Sequence, residues 1–217
     1  ASDVYKRQAQ QGDIGVDLSF FKGAVTFTAD AFIKDTKDLL YQKPTPATSG
    51  YTSQVCNIGS MRNKGLEFTL GANLGKGAFS WHSDFNISFI RNKLTALLDN
   101  NEILTTSSMH ALKVGEPIGS FYMIKWKGIY QSDDEIPAKI YEQGVRAGDC
   151  IYEDVDGNDV IDEKDKQFVG SANPKFTGGF NNTFKYKGLD LSVFFTFSSG
   201  NKLYELCLLY TSPSPRD

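Results

Sequence analysis

The stretch GLEFTLGANLGKGAFSWHSDFNISFIRN, residues 65–92, decides how the rest of the chain is read. Leu66, Phe68, Leu70, Ala72 and Leu74 take alternate positions, and Glu67, Thr69 and Asn73 lie between them. A period of two belongs to a strand, whose successive side chains point to opposite faces. Gly75, Lys76 and Gly77 then read as a turn. The return run sets Phe79, Trp81, Phe85, Ile87 and Phe89 against His82, Asp84, Asn86 and Ser88. Two long alternating runs joined by a glycine turn predict a β-hairpin.

The same grammar recurs on both sides. In residues 23–34, Val25, Phe27, Ala29, Ala31 and Ile33 oppose Thr26, Thr28 and Asp30. Residues 15–23 predict a short strand before it, with a turn at Lys22-Gly23. Near the other end, Phe176, Phe180, Phe184 and Tyr186 alternate with Thr177, Asn181, Thr183 and Lys185. Lys187-Gly188 turns the chain, and Leu189, Leu191, Val193, Phe195 and Phe197 alternate with Asp190, Ser192, Thr196 and Ser198. Residues 118–131 read as one further strand. Residues 41–56, 93–115 and 132–172 read as long polar loops, the last of them acidic.

Long strands, short turns at one side and long loops at the other predict an all-β fold. Its form is an antiparallel up-and-down meander. A soluble sandwich also alternates, but with shorter strands. Heavy Phe, Leu and Trp faces opposite Asp, Asn, Thr, Lys and Glu faces favour a partial segment of a large transmembrane β-barrel, apolar outside and polar toward a lumen.

Composition agrees. Aromatics make up 13% of the 217 residues, with 16 Phe and 20 Gly, as β-rich chains favour. A formal net charge of -3 gives no basic surface for nucleic acid. Only two histidines, His82 and His110, leave little for a histidine metal cluster or a catalytic triad. No apolar run approaches a membrane-spanning helix, which says nothing against spanning strands. Cys56 and Cys150 lack metal spacing and stand as free thiols or one disulfide.

The sharpest motif is DVDGNDVIDEKD, residues 154–165. An EF-hand-type loop places oxygen ligands at positions one, three, five, seven, nine and twelve. Here these are Asp154, Asp156, Asn158, the backbone carbonyl of Val160, Asp162 and Asp165. Ile161 takes the apolar anchoring position. The expected metal is a structural calcium, with a solvated acidic loop as the plain alternative. Asp159 stands where the turn usually asks for Gly, and the last ligand is Asp in place of Glu. Other candidates are weaker. Asp133, Asp134 and Glu135 read as solvated loop carboxylates, Gly178-Gly179 as a close backbone approach, and Trp81 and Trp126 as packing or interfacial residues before sugar platforms. No nucleophile–base pair is present, so an enzyme is not expected.

The two ends differ from the rest. ASDVYKRQ, residues 1–8, and CLLYTSPSPRD, residues 207–217, back-translate to strings similar to transposase adapters in opposite orientations. They are expected to be adapter-derived, leaving residues 9–206 as a partial barrel.

The phrases NIGSMRNKGLEFTL (57–70), FSWHSDFNISFIRNKL (79–94), VGEPIGSFYMIKWKGIYQ (114–131) and the run 148–200 with NPKFTGGFNN follow one another. In this order they resemble the C-terminal barrel of SusC/RagA-type TonB-dependent outer-membrane transporters. The resemblance implies a barrel of about 22 strands in the Bacteroidota outer membrane, holding a plug domain. It implies a SusD-like surface lipoprotein as partner, contact with the TonB complex through a more N-terminal region, contact with outer-membrane lipids, and import of oligosaccharides or peptides. That family's acidic loop usually reads D-x-N-G-D-G-x-I-D, from which Asp159 departs. The alternatives are a siderophore-type TonB-dependent receptor and a soluble β-rich carbohydrate-binding module with structural calcium. The sequence does not name the cargo.

Overall fold

The alternating runs pair as one meander. In the computed structural model, which describes residues 7–44, 50, 52–97 and 103–204, six strands form a sheet in the order β1-β2-β3-β4-β11-β12. These strands are β1 (Gln8–Phe20), β2 (Val25–Pro44), β3 (Ser53–Lys76), β4 (Phe79–Leu97), β11 (Phe176–Tyr186) and β12 (Leu189–Ser199). Between β4 and β11 lie the short strands β5 (Ile103–Thr105), β6 (Ala111–Lys113), β7 (Ser120–Ile124) and β8 (Trp126–Ile129). The helix α1 (Ala138–Glu142) and strands β9 (Cys150–Tyr152) and β10 (Lys166–Ser171) complete the order. Every pairing in the large sheet is antiparallel.

Tight turns join β1 to β2, β3 to β4 and β11 to β12. Lys187 and Gly188 both have positive φ, 46° and 86°, as a two-residue type I′ turn requires. The β3–β4 turn is Gly77-Ala78, one residue beyond the expected centre, because Lys76 still pairs with Phe79. Gly77, at φ 65°, supplies the left-handed position.

Register sorts the side chains. One row across the sheet reads Leu18, Phe27, Leu70, Phe85, Phe180, Phe195. The adjacent row, on the other face, reads Asp17, Thr28, Thr69, Asn86, Gly179, Thr196. The apolar face carries ring pairs: Phe27–Phe68 at 6.3 Å, Phe85–Phe180 at 6.3 Å, and Trp81 stacked on Phe184 at 6.0 Å. Yet it is uncovered, with Leu18, Leu70 and Phe195 at 44%, 45% and 57% exposure. So large an exposed apolar face marks a surface meant for hydrocarbon or another apolar partner. One polar spot interrupts it. Ser83 and Asn182 pair across β4 and β11, both buried, and Trp81 Nε1 donates to Asn182 Oδ1 at 3.0 Å. Trp81 is thus a packing residue.

The sheet departs from the sequence expectation at its far ends. β1 has 13 residues and starts at Gln8, well before residue 15. β2 and β3 run into the segment 41–56 that reads as loop, with Tyr41 opposite Cys56 and Gln42 opposite Val55. β4 likewise runs to Leu97 inside the segment 93–115. Backbone pairing needs no hydrophobic period, so the ladder continues where the side-chain alternation breaks down. Register shifts near Thr36, Leu39 and Ser60 also change which parity faces which side. The centre of 41–56 (residues 45–49 and 51), residues 98–102, and the terminal segments 1–6 and 205–217 lie outside the described residues.

The largest correction concerns residues 118–131. They do not make one sheet strand. β7 pairs with β10 and β8 pairs with β9, as two separate ribbons. These ribbons belong to a second compact unit, residues 105–111, 119–172 and 202–204 among those described, distinct from the sheet unit. Its apolar centre is Tyr130, Ile136 and Ile140, packed by Val145, Ile151 and Ile161. Cys56 and Cys150 are both free. Among the described residues, no helix is long and apolar enough to cross a membrane; strands are the elements that could.

Gly178 tests the packing of the apolar face. A Cβ there would meet the Phe197 ring and stand 2.5 Å from the Asn86 carbonyl oxygen. The backbone oxygen cannot swing aside as a side chain can. Gly178→Ala is expected to destabilise the sheet by about 1–3 kcal/mol, as overpacking does. A lowered midpoint for heat-induced unfolding of the protein would measure it.

Candidate functional site

The acidic loop folds around its own carboxylates. Asp154 Oδ1 accepts from Gly157 N at 2.7 Å, and Oδ2 from Asp159 N at 2.8 Å. Asp156 accepts from the backbone and side-chain nitrogens of Asn158, and Asn158 Oδ1 accepts from Val160 N at 2.7 Å. These are Asx-type bonds from short polar side chains to backbone a few residues on. Asp159 takes φ 59°, the left-handed conformation that the turn demands, without being Gly. Asp tolerates that region better than most residues. Gly157, at φ 72°, carries a second such position.

The far end of the loop closes on a short 3-10 turn, Glu163–Asp165. Asp162 Oδ1 accepts from Lys164 N, and Asp165 Oδ2 accepts from Asp162 N, which forms a capping box. Asp165 Oδ1 reaches back to Val155 N at 2.8 Å. Asp165 is therefore fully buried, with both oxygens satisfied, and ties the two ends of the loop together.

Of the six expected ligands, the structure brings Asp154, Asp156 and Asp165 together, with one carboxylate oxygen from each within 4.8 Å of the others. Asp162 is not part of that group; its carboxylate serves as the cap. Asn158 directs its side-chain oxygen to Val160 N, and its carbonyl accepts from Lys139 Nζ at 2.9 Å. Ile161 packs against the small apolar centre, as an anchoring position should. Three clustered carboxylates, one buried, fit a hard oxygen-seeking cation. Each of these oxygens keeps a lone pair beyond the backbone bond it accepts.

Asp154 is held below the usual carboxylate range. The Asp159 N–H contributes most, burial opposes it, and Gly157 N–H adds to it. Glu153 is lowered too, first by Lys125 and then by Gln167, against desolvation. Lys125, between β7 and β8, and Lys127, on β8, both reach Glu153, at 3.0 and 3.4 Å. The K-x-K spacing carries that signal, whereas the contact of Lys139 to the loop leaves no trace in sequence. Asp133 Oδ1 accepts from Ala147 N and Glu135 from Gln131 N, so these carboxylates brace turns. Trp126 is exposed on β8.

In the sheet unit, the polar face forms a cleft of about 530 Å³ lined by Asn63, Ser88, Asn92, Asn173 and Thr177 among others. Asn92 Nδ2 donates to Asn63 Oδ1 at 2.6 Å, and Asn92 Oδ1 accepts from Ile118 N at 2.7 Å.

A family described as TonB dependent receptor-like, beta-barrel, matches residues 7–204. The chain belongs to the TonB-dependent receptor β-barrel family. TonB-dependent receptor P3 of Formosa agariphila is 34% identical over 212 residues, covering 93% of this chain and 21% of that protein. TonB-dependent receptor SusC of Bacteroides thetaiotaomicron is 26% identical, over 88% of this chain and 19% of that protein. Among solved structures, the RagAB peptide importer in its closed-closed state superposes with a TM-score of 0.71 at 22% identity, over 90% of this chain and 21% of the other, which shows a shared fold. This barrel segment thus spans about a fifth of the length of its curated relatives. Members of the family are outer-membrane proteins, and its relatives here are receptors and importers, not enzymes. The uncovered apolar face of the barrel segment is accordingly its lipid face, and a soluble carbohydrate-binding module is set aside.

Asp165→Ala removes a buried carboxylate that accepts from two backbone N–H groups, those of Val155 and Asp162. It is expected to destabilise the loop by about 1–3 kcal/mol, seen as faster hydrogen exchange at Val155 and Asp162 in the complete receptor. Because folding lowers the Asp154 pKa, its contribution is present above about pH 4 and is lost as pH falls through the lower folded value. Protection of the loop amides, taken relative to the intrinsic exchange rate at each pH, should fall on acidification, and less steeply in Asp154→Asn.

Proposed function

We propose that this chain is part of an outer-membrane active transporter that imports oligosaccharides or peptides. On this reading TonB supplies the energy through a more N-terminal region, and a SusD-like surface lipoprotein covers the outer end. The observation that carries the reading is the division of the sheet into an apolar lipid face and a polar face. The row of Asp17, Thr28, Thr69 and Asn86 offers hydrogen-bonding groups to a hydrated cargo. Kinship with SusC supports a SusD-like partner, and the RagAB peptide importer keeps peptides beside oligosaccharides as cargo.

A second element of the proposal is a structural calcium in the loop 154–165. Asp154, Asp156 and Asp165 would hold it, with Asn158, the Val160 carbonyl and Asp162 completing the shell, Asp162 through water. Its contribution would be to neutralise clustered negative charge and stiffen the loop; it takes part in no chemical step.

The gene encoding the complete receptor would be deleted in its host, and growth compared on defined oligosaccharides, peptides and ferric siderophores as limiting nutrients. Loss of growth on one oligosaccharide or peptide class, with co-purification of a surface lipoprotein, is the expected outcome. A defect confined to ferric siderophores would overturn it in favour of a siderophore receptor. For the metal, calcium is expected to slow exchange of the loop amides at least several-fold in the wild type and not in Asp156→Asn with Asp165→Asn. Equal exchange with and without calcium in the wild type would reject the site.

A further inference from the structure

The lipid face does not end in neutral residues at the end away from the tight turns. Continuing the apolar parity of β3 beyond Leu66 gives Lys64 and Arg62, and continuing that of β4 beyond Phe89 gives Arg91 and Lys93. The ladder sets Lys64 directly opposite Arg91, and Arg62 directly opposite Lys93. Two like-charge pairs stand face to face, an arrangement that destabilises a sheet unless an anion sits among them. The sheet supplies one. Asp35 takes Arg62 in a two-pronged pair, with contacts of 2.6 and 2.8 Å. Lys64, Arg91 and Lys93 are exposed and have no ion-pair partner among the described residues.

Position sharpens the point. Leu66 to Leu74, the apolar run of β3, covers about 27 Å at roughly 3.4 Å per residue. Tilted by about 40°, it spans a height of about 21 Å, close to the apolar band of such barrels at about 25 Å. The cations therefore stand where hydrocarbon gives way to headgroups. The turn end of the same face has aromatic residues instead, Phe79, Trp81, Phe184 and Tyr186. Two adjoining depressions occupy the basic end. A groove of about 820 Å³ is lined by Ile14, Ile33, Leu66 and Phe89 together with Lys64, Arg91 and one carboxylate, Asp13. A cleft of about 680 Å³ shares Ile33, Lys64 and Arg91 with it and adds Arg62 and Lys93. No carboxylate lines the cleft among the described residues.

We propose that this end of the lipid face is a binding site for a phosphate-bearing lipid. The headgroup phosphate is held by Lys64, Arg91 and Lys93, and an acyl chain lies in the groove over Ile33, Leu66 and Phe89. A basic cluster at a membrane boundary is worth roughly a fivefold affinity gain per cation toward anionic headgroups. The apolar groove supplies what a free anion would not use. The site stands on the barrel's membrane location alone and is independent of the cargo.

The complete receptor in detergent would be titrated with fluorescent monophosphoryl lipid A, with phosphatidylcholine as the zwitterionic control and inorganic phosphate as competitor. Binding of the lipid A probe at least tenfold tighter than phosphatidylcholine is expected. The preference should fall roughly fivefold in Arg91→Gln and essentially vanish in Lys64→Gln/Arg91→Gln/Lys93→Gln. Arg91→Lys, which keeps the charge, should restore most of it and guards against a folding defect. An unchanged preference in the triple variant, no preference in the wild type, or displacement of the probe by millimolar inorganic phosphate alone would overturn the proposal.

Discussion

The structure depends on the register of one hairpin. β3 and β4 pair without interruption from Lys76 opposite Phe79 to Met61 opposite Leu94. Because side chains alternate with a period of two, a slip of one residue would carry Phe68, Leu70, Phe85 and Ile87 to the polar face and Glu67, Asp84 and Asn86 into lipid. The cost of placing those groups in hydrocarbon pins the register. From that pair the order spreads to both sides, since β2 and β11 must present the same parity to the same face.

The same register explains features that look anomalous singly. Gly178 stands among aromatic residues because the Phe197 ring lies over it. Asn182 and Ser83 can share the lipid face because Trp81 donates to the Asn182 oxygen and both residues are buried. The four cations beyond Leu66 and Phe89 occupy apolar parity, and they fall beyond the hydrocarbon height, where charge is tolerated and a headgroup is at hand.

The second unit works by a different physics. Its carboxylates take the place that apolar burial holds elsewhere. Asp154 and Asp165 gather backbone N–H groups around a loop with little regular structure, and a small cluster of Tyr130, Ile136, Ile140 and Ile161 anchors it. The loop keeps an EF-like spacing even though Asp159 replaces the glycine, since Asp159 itself adopts the left-handed backbone.

By itself the sequence determined the strand faces, the tight turns near Gly23, Gly77 and Gly188, and the carboxylate spacing of the loop. Each is a local property, written in period, turn residue or offset along the chain. Only the tertiary structure decided where β2, β3 and β4 end, because the ladder there is held by backbone hydrogen bonds and crosses register shifts that leave no period in the side chains. It also decided that residues 118–131 divide between two ribbons, and that Asp162 caps a turn while Asp154, Asp156 and Asp165 converge. Those outcomes rest on pairings between residues distant in sequence, which no local period encodes.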